Sequence, residues 1–171
     1  MNKQMFSEYF ANKRKSLNLS LNNVAEKLSL TIPAIYKYEK GNSYPDLTIL
    51  ADIANLFEVD LDSLLSCGNT KNNNYCEEFK FDIEKFAAYF SFLRKYNNLT
   101  LNELAKKIDV QYQTISKWEK GESLPNIEKF ILVANIFNVS YSDLYFAFGI
   151  NKEKQLKGTK KCRQNRLFLL A

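Results

Sequence analysis

Apolar residues in the first third of the chain recur at intervals of three and four, the spacing that places side chains on one face of a helix. On this basis we predict five short helices between residues 6 and 65. The apolar positions on their inward faces are Phe6, Tyr9, Phe10, Leu17, Leu21, Val24, Ala25, Leu28, Leu47, Leu50, Ala51, Ala54, Phe57, Leu61, Leu64 and Leu65. The pattern predicts an all-α fold for this part of the chain.

Residues that favour helix ends stand at the predicted boundaries. The first helix is expected to end at Asn18. The third, residues 32–40, is expected to tolerate Pro33 in its first turn and to end at Gly41. Polar side chains that can cap the second, third, fourth and fifth helices stand just before them, and these are Ser20, Thr31, Asp46 and Asp60.

The same pattern occurs again 80 residues later. Residues 6–65 align with residues 86–145 without a gap, and about 23 of the 60 positions are identical. In the clearest stretch, YKYEKGNSYPD at residues 36–46 matches SKWEKGESLPN at residues 116–126. We refer to these segments as the first and the second repeat. The helix boundaries of the second repeat are expected at Thr100, Gln111, Gly121, Asn126 and Ser140.

The duplication predicts two domains on one chain. The first is expected over residues 1–66 and the second over residues 82–148. Residues 67–81 between them are polar and rich in asparagine in their first half, which indicates a linker. Residues 149–171 have too few apolar side chains to build a core, so a basic, disordered tail is expected there.

Composition narrows the class of protein. The chain contains no histidine, so the commonest general acid or base and the commonest metal ligand are missing. Its five glycines are scattered singly, without a phosphate-binding pattern. The three cysteines, Cys67, Cys76 and Cys162, match no zinc or redox spacing, and reduced, unlinked thiols are expected. We therefore predict no catalytic residue, no metal, no cofactor and no enzymatic activity.

Hydropathy and the N-terminal sequence bear on whether the protein is secreted or inserted in a membrane, and the distribution of charge bears on its affinity for nucleic acid. No apolar run approaches the roughly 18 residues that span a bilayer, and the start MNKQMFSEYF lacks the pattern of a secretory signal. We expect a cytoplasmic protein without membrane contact. The net charge of +5 arises in residues 146–171, which hold seven basic side chains and one acidic side chain. Overall basicity therefore says nothing about the folded part.

Two short helices separated by a three-residue turn, the second carrying polar side chains, suit the major groove of DNA. With LSLNNVAEKL and YKYEKGNSYPD in the first repeat and LTLNELAKKIDVQYQTISKWEKGESLP in the second, both repeats resemble the XRE family of lambda-repressor-like and Cro-like helix-turn-helix domains. The resemblance covers about 120 residues. It implies two five-helix helix-turn-helix domains in tandem, in a regulator that binds double-stranded DNA sequence-specifically and represses or activates transcription by occupying a promoter or operator.

The resemblance also implies roles for individual residues. Each repeat is expected to hold a buried ion pair between its first helix and the end of its third, Arg14 with Glu39 and Arg94 with Glu119. The aromatic residues Tyr38 and Trp118, which precede those glutamates, are interpreted as core, as are Phe6, Phe10, Phe57, Phe86, Phe90 and Phe137.

In this family, base contacts come from the first, second and sixth residues of the third helix. The residues implied are Ile32, Pro33 and Lys37 in the first repeat and Tyr112, Gln113 and Lys117 in the second. Gln113 can pair with adenine and Lys117 with guanine or phosphate, whereas Ile32 and Pro33 carry no side-chain donor. The other candidate DNA-contacting residues are Thr31, Tyr36, Lys40, Asn42, Ser43, Asn102, Gln111, Thr114, Ser116, Lys120 and Ser123.

The sequence departs from the family at the start of the second helix. The family often has glutamine at the first position of that helix, where this chain has Leu21 and Leu101. The phosphate anchor that glutamine supplies is therefore missing or is replaced by Asn22 and Asn102.

Several alternatives remain open from the sequence. The apolar residues of the fourth and fifth helices of the second repeat exceed what a core of 60 residues needs. They predict either packing of the two repeats about a local twofold axis or a homodimer. The chain is alternatively a protein-interaction module that assembles with another regulator, with DNA recognition lost in the first repeat. The tail is a solvated segment, an electrostatic arm for DNA, or a cloning remnant or partner-binding peptide that ends in Leu167 to Leu170.

Overall fold

The computed structural model describes residues 3–69 and 80–147, and all regular elements within these ranges are helices. The first repeat contains α1 (Lys3–Ser16), α2 (Leu21–Lys27), α3 (Ile32–Glu39), a 3-10 turn (Leu47–Ile49) that leads into α4 (Leu50–Leu56), and α5 (Leu61–Leu65). The second contains α6 (Ile83–Tyr96), α7 (Leu101–Ile108), α8 (Tyr112–Glu119), α9 (Ile127–Phe137) and α10 (Tyr141–Phe146). The prediction of an all-α fold with five helices in each repeat is confirmed. Most of the predicted linker, the predicted tail, Cys76 and Cys162 lie outside the described residues.

The second helix of each repeat begins with a reciprocal cap. The Ser20 hydroxyl accepts from the Asn23 N–H at 3.0 Å, and the Asn23 side chain accepts from the Ser20 N–H. Thr100 and Glu103 form the same arrangement on α7, with the Thr100 N–H donating to the carboxylate at 2.7 Å. These bonds lower the pKa of Glu103. Both predicted caps are confirmed, and the N–H groups that a helix start leaves without a partner are satisfied.

Two of the expected helix starts lack a side-chain cap. The Asp46 side chain makes no capping hydrogen bond, and Leu47–Ile49 form a 3-10 turn before α4 begins, so the prediction that Asp46 caps the fourth helix is wrong. Its counterpart Asn126 does cap, accepting from the Lys129 N–H at 2.9 Å, and α9 starts directly after it. Likewise the Thr31 side chain accepts from the N–H of Ala34, but Gln111 makes no side-chain cap on α8. The two repeats therefore differ at the start of their third and fourth helices.

Aromatic side chains fill the core of each repeat as predicted. Phe10 packs edge-on against Phe57 with ring centroids 4.8 Å apart, and Phe90 packs edge-on against Phe137 at 6.0 Å. The predicted core aromatic residues are buried, including Phe6, Phe10, Tyr38, Phe57, Phe86, Phe90, Trp118 and Phe137. Burial of each such side chain contributes roughly 1.5–3 kcal/mol, as does burial of the aliphatic side chains packed around it, so the shared core stabilises each repeat.

The two repeats pack against each other within the chain through α5 and α10. The Tyr145 side chain, fully buried, donates its hydroxyl to the Leu47 carbonyl at 2.7 Å and accepts from the Ala51 N–H at 3.3 Å. The Asp62 carboxylate accepts from the Tyr141 N–H at 2.7 Å. We call these contacts the inter-repeat interface. Part of the aromatic surplus of the second repeat is therefore used between repeats of one chain.

Candidate nucleic-acid interface

A buried ion pair fixes the third helix of the first repeat. Arg14 Nη2 donates to Glu39 Oε2 at 3.0 Å, Arg14 Nε donates to the other carboxylate oxygen, and Arg14 Nη1 donates to the Leu19 carbonyl at 2.7 Å. Only 13% of the arginine side chain and 12% of the glutamate side chain are exposed. The hydrogen bond with Glu39 raises the pKa of Arg14. The guanidinium is thus engaged inside the protein, as the resemblance implied.

The second repeat repeats this arrangement. Arg94 Nε and Nη2 donate to the two Glu119 carboxylate oxygens at 2.6 and 3.0 Å, and Nη1 donates to the Leu99 carbonyl at 2.6 Å. A bidentate arginine–carboxylate pair restricts both side chains in distance and in orientation. It therefore holds α8 rigidly against α6 and against the turn before α7.

Helix α8 presents polar side chains on its outer face. Gln113 and Lys117 are exposed and lie on the face opposite to the buried Ile115 and Trp118. Tyr112, at the first position of the helix, is 47% exposed. The remaining predicted contacts on this helix, Thr114 and Ser116, are half-buried. The most exposed side chains within α8 are therefore those at its first, second and sixth positions.

Helix α3 exposes a different chemistry at the equivalent positions. Ile32 is 45% exposed and Tyr36 is 50% exposed, with Pro33 and Lys37 also on the surface. The Lys40 ammonium lies 5.4 Å from the centroid of the Tyr36 ring, a cation–π contact that orients both side chains. This face offers apolar contact and positive charge. Gln113 has no equivalent amide in the first repeat.

We call α3 and α8, the helices expected to carry the base contacts, the recognition helices. The loop after each of them is shaped by a glycine. Gly41 and Gly121 have φ angles of +68° and +71°, in the left-handed region that glycine adopts without strain. The next N–H then folds back to the helix, with the Asn42 N–H donating to the Lys37 carbonyl at 2.9 Å and the Glu122 N–H to the Lys117 carbonyl at 2.9 Å. The predicted ends of the third helices are confirmed.

The candidate phosphate-contacting residues differ in exposure. Asn42 and Lys40 are exposed, whereas Ser43 and Ser123 are half-buried. The Lys120 ammonium lies 3.8 Å from the Glu122 carboxylate, in an exposed pair that contributes little and competes weakly with an incoming phosphate. Asn102 is exposed in the first turn of α7, and Thr31 and Gln111 are exposed directly before α3 and α8.

The loops that follow the two recognition helices border one cleft of about 570 Å³. The lining residues come from equivalent positions of both repeats and from the start of α1, and they are Lys3, Asn42, Ser43, Tyr44, Pro45, Asp46, Leu47, Thr48, Leu124, Pro125, Asn126, Ile127 and Glu128. The structure thus brings Asn42 and Ser43, two of the candidate phosphate-contacting residues, close to the second repeat. The base-contact candidates of α3 and α8 remain on separate helices.

Two residues at the junction of the repeats were missed by the sequence analysis. Lys3 lies at the cleft with its ammonium 5.7 Å from the centroid of the Tyr44 ring. Asp62 contacts the N-terminus of α10, 79 residues away along the chain. No local pattern marks either one, because their partners are distant in sequence or lie in loops.

The described residues contain no cluster of histidine, cysteine, aspartate and glutamate with the geometry of a metal site. None of their helices combines the length and the apolar character that a transmembrane segment requires.

Comparison with known proteins identifies the arrangement. The family model described as Helix-turn-helix matches residues 10–64 and again residues 92–144, which together are more than half of the chain. The chain belongs to the XRE-type helix-turn-helix family. This family comprises DNA-binding regulators of transcription, so the general class suggested by the sequence is shown and no enzymatic family is indicated. No solved structure matched the chain.

Curated relatives of this helix-turn-helix chain are regulators. It is 40% identical over 76 residues to the HTH-type transcriptional regulator YqaE of Bacillus subtilis, a match that covers 44% of this chain and 65% of that protein. It is 38% identical over 52 residues to the HTH-type transcriptional activator BcrR of Enterococcus faecalis, covering 30% of this chain and 26% of that one. It is 33% identical over 61 residues to the Cryptic phage CTXphi transcriptional repressor RstR of Vibrio cholerae, covering 36% and 53%. The chain thus spans less than two thirds of each of these relatives.

Proposed function

We propose that this helix-turn-helix chain regulates transcription by occupying a promoter or operator as a single chain, with its two recognition helices in neighbouring major grooves. The observation that carries the proposal is the exposed face of α8, where Gln113 and Lys117 project from a helix held by the buried Arg94–Glu119 pair. A rigid helix fixes the backbone of these residues in advance, so only their side-chain rotamers remain to be ordered when they contact a base. The loops that follow α3 and α8 line one cleft, and on the proposal both helices face one duplex.

The two helices are suited to different bases. The Gln113 amide can donate to and accept from adenine, and such a bidentate pair discriminates against a wrong base by roughly 1–3 kcal/mol. Ile32 and Tyr36 offer apolar surface that suits a thymine methyl group, with Lys37 available to a base or a phosphate. We expect an operator with two unlike half-sites. Lys40, Asn42, Lys120, Ser123 and the exposed Asn102 would position the duplex through its phosphates.

Occupancy of a promoter or operator is compatible with either sign of regulation. Among the relatives, BcrR is called an activator and RstR a repressor, so a shared helix-turn-helix region is compatible with either outcome. Occupancy near a promoter produces repression or activation according to where the site lies. The binding step is therefore the property to test first.

A gel-shift selection from genomic fragments at two salt concentrations, followed by footprinting, tests the proposal. We expect a retained fragment with two protected major-groove segments about one helical turn, roughly 34 Å, apart. Lys117→Gln keeps a polar side chain, one atom shorter, but removes the charge, and should weaken binding and reduce its salt dependence. Retention of no fragment even at low salt, by protein shown to be folded, would contradict the proposal.

A protein-interaction module is the second candidate, and a specific observation favours it. Ile32, Tyr36 and Tyr112 are 45%, 50% and 47% exposed, and a recognition helix rich in apolar surface also suits a protein partner. Under this alternative, footprinting after the same gel-shift experiment shows no protected half-site for α3. A partner regulator would then protect α3 from hydrogen exchange.

A further inference from the structure

The Tyr145 hydroxyl bridges two backbone groups of the first repeat. It donates to the Leu47 carbonyl at 2.7 Å and accepts from the Ala51 N–H at 3.3 Å. A regular α-helix joins the carbonyl of one residue directly to the N–H four positions later, which here are Leu47 and Ala51. A side chain of the second repeat is therefore interposed at the first turn of the fourth helix of the first.

The local backbone differs between the repeats at this point. In the first repeat, Leu47–Ile49 form a 3-10 turn and α4 begins at Leu50. The equivalent residues of the second repeat, Ile127 and Ile131, lie together in the regular helix α9. Leu65 stands at the position equivalent to Tyr145 and carries no hydroxyl. The second repeat therefore makes this hydroxyl bridge to the first repeat, and Leu65 of the first repeat cannot return it. The bridge lies where the 3-10 turn Leu47–Ile49 precedes α4.

The Tyr145 ring is itself fixed by aromatic residues of the second repeat and by Phe81, which stands just before α6. Its centroid lies 4.7 Å from that of Phe81, 4.8 Å from that of Phe146 and 6.3 Å from that of Phe130. Burial raises the pKa of the phenol, and the hydroxyl donates to the Leu47 carbonyl. One side chain thus connects the aromatic core of the second repeat to the backbone of the first.

Asp62 makes the complementary contact in the opposite direction. Its carboxylate accepts from the N–H of Tyr141 at 2.7 Å and from that of Ser142 at 3.3 Å, at the start of α10. Ser140 caps the same helix by accepting from Asp143. A carboxylate at a helix N-terminus is favoured by the helix dipole and satisfies N–H groups that have no partner within the helix. The position equivalent to Asp62 is Ser142, so this contact too is made once.

We propose that Tyr145 and Asp62 are positioning residues that set the separation and relative orientation of α3 and α8, and with them the half-site spacing that the chain accepts on DNA. This inference rests on the proposed function for its DNA readout. In the first repeat, one loop joins the end of α3 to Leu47. In the second repeat, α10 packs on α6, and α6 packs on α8. Packed interiors transmit such restraints because they are not continuously deformable. A contact at the inter-repeat interface is therefore connected to both recognition helices without touching DNA.

The DNA experiment compares operators that differ only in half-site spacing. The wild-type 171-residue chain, Tyr145→Phe, Asp62→Ala and the double variant are titrated against operators whose half-site centres lie roughly 9, 10, 11 or 12 base pairs apart, and against an isolated half-site for α8. The preference for the best spacing over its neighbours should fall about fivefold for each variant, the effect of one net hydrogen bond. Affinity for the isolated half-site should be unchanged, because α8 is untouched.

Two matched controls separate positioning from general stability. Tyr96→Phe removes a hydroxyl from an exposed tyrosine on α6 and should leave the spacing preference unchanged. Asp62→Asn keeps an acceptor for the two N–H groups and should restore most of the preference that Asp62→Ala loses. Equal loss of affinity at every spacing, or a preference that survives in the double variant, would overturn the proposal.

A measurement without DNA keeps this inference distinct from the proposed function. Spin labels at positions 37 and 117, in protein with Cys67, Cys76 and Cys162 replaced by serine, report the distance between α3 and α8. We expect Tyr145→Phe to broaden or shift that distance distribution and Tyr96→Phe to leave it alone. An unchanged distribution in both Tyr145→Phe and Asp62→Ala overturns the positioning role even if the chain binds DNA. A changed distribution in a chain that binds no operator instead contradicts the proposed function.

Discussion

The third helices of the two repeats share their support and differ on their outer face. On the inner side of each third helix, an arginine from the first helix of the repeat forms two hydrogen bonds to a glutamate. Between 11% and 13% of each of these side chains is exposed. In front, α3 shows Ile32 and Pro33 where α8 shows Tyr112 and Gln113. The comparison indicates that a duplicated scaffold can be kept while the residues that meet a ligand change. Mutations of the arginine–glutamate pairs should therefore act alike in the two repeats, and mutations of the exposed outer residues should not.

The largest effect is expected for the buried ion pairs. Glu39→Ala and Glu119→Ala each leave an arginine buried without its partner, and we expect each to lower the free energy of unfolding by about 3–5 kcal/mol. Urea denaturation followed by circular dichroism measures this loss. Similar losses for the two variants would support the view that the two ion pairs stabilise their repeats equally.

Glu122→Ala is the control for the ion-pair variants. It removes an acidic side chain from an exposed pair with Lys120 and should cost less than about 1 kcal/mol. A large loss from Glu119→Ala together with a negligible loss from Glu39→Ala would break the comparison, since the geometry of the two buried pairs is the same.

The next effect concerns the outer faces. Gln113→Ala should cost roughly 1–3 kcal/mol of binding free energy on the best operator and little on nonspecific DNA, because it removes a base contact but no charge. Pro33→Ala, at the equivalent position, should change neither by more than a few tenths of a kcal/mol, since proline offers no donor to lose. Competition titrations with operator and random duplex give both values. If Gln113→Ala weakens binding to all sequences equally, α8 does not supply the base recognition.

The sequence alone predicts the repeated elements well. Apolar spacing and capping residues indicate ten helices, and Gly41 and Gly121 mark the ends of the recognition helices, because these signals act within a few residues along the chain. The buried pair of Arg94 and Glu119 follows from the family resemblance. The junction of the repeats is different. Asp62 and its partner Tyr141 are 79 residues apart, and no local periodicity encodes such a contact.

The failure at Asp46 has the same origin. An aspartate after proline is a reasonable capping residue, and its counterpart Asn126 does cap. The first turn after Asp46 is instead irregular, and the Tyr145 hydroxyl from the other repeat bridges its backbone. At this helix start, the contact from Tyr145 of the other repeat coincides with the absence of the cap that Asp46 would favour locally. The sequence of residues 46–51 gives no indication of it.

The smallest effect that we predict uses this pair of capping positions. Asn126→Ala removes a side chain that accepts from the Lys129 N–H and should lower the free energy of unfolding by about 1 kcal/mol, the usual contribution of an N-cap. Asp46→Ala removes a side chain that makes no capping bond, and should change stability by less than half as much. Both residues are exposed, so neither variant creates a buried cavity, and the two can be compared directly by urea denaturation. In the Tyr145→Phe background the fourth helix of the first repeat is free to begin at Leu47, as α9 begins at Ile127. Asp46 would then gain a capping role, and Asp46→Ala should become as costly as Asn126→Ala. Equal costs for the two variants in the wild-type chain would instead show that Asp46 already caps, and that the repeats do not differ at this helix start in solution.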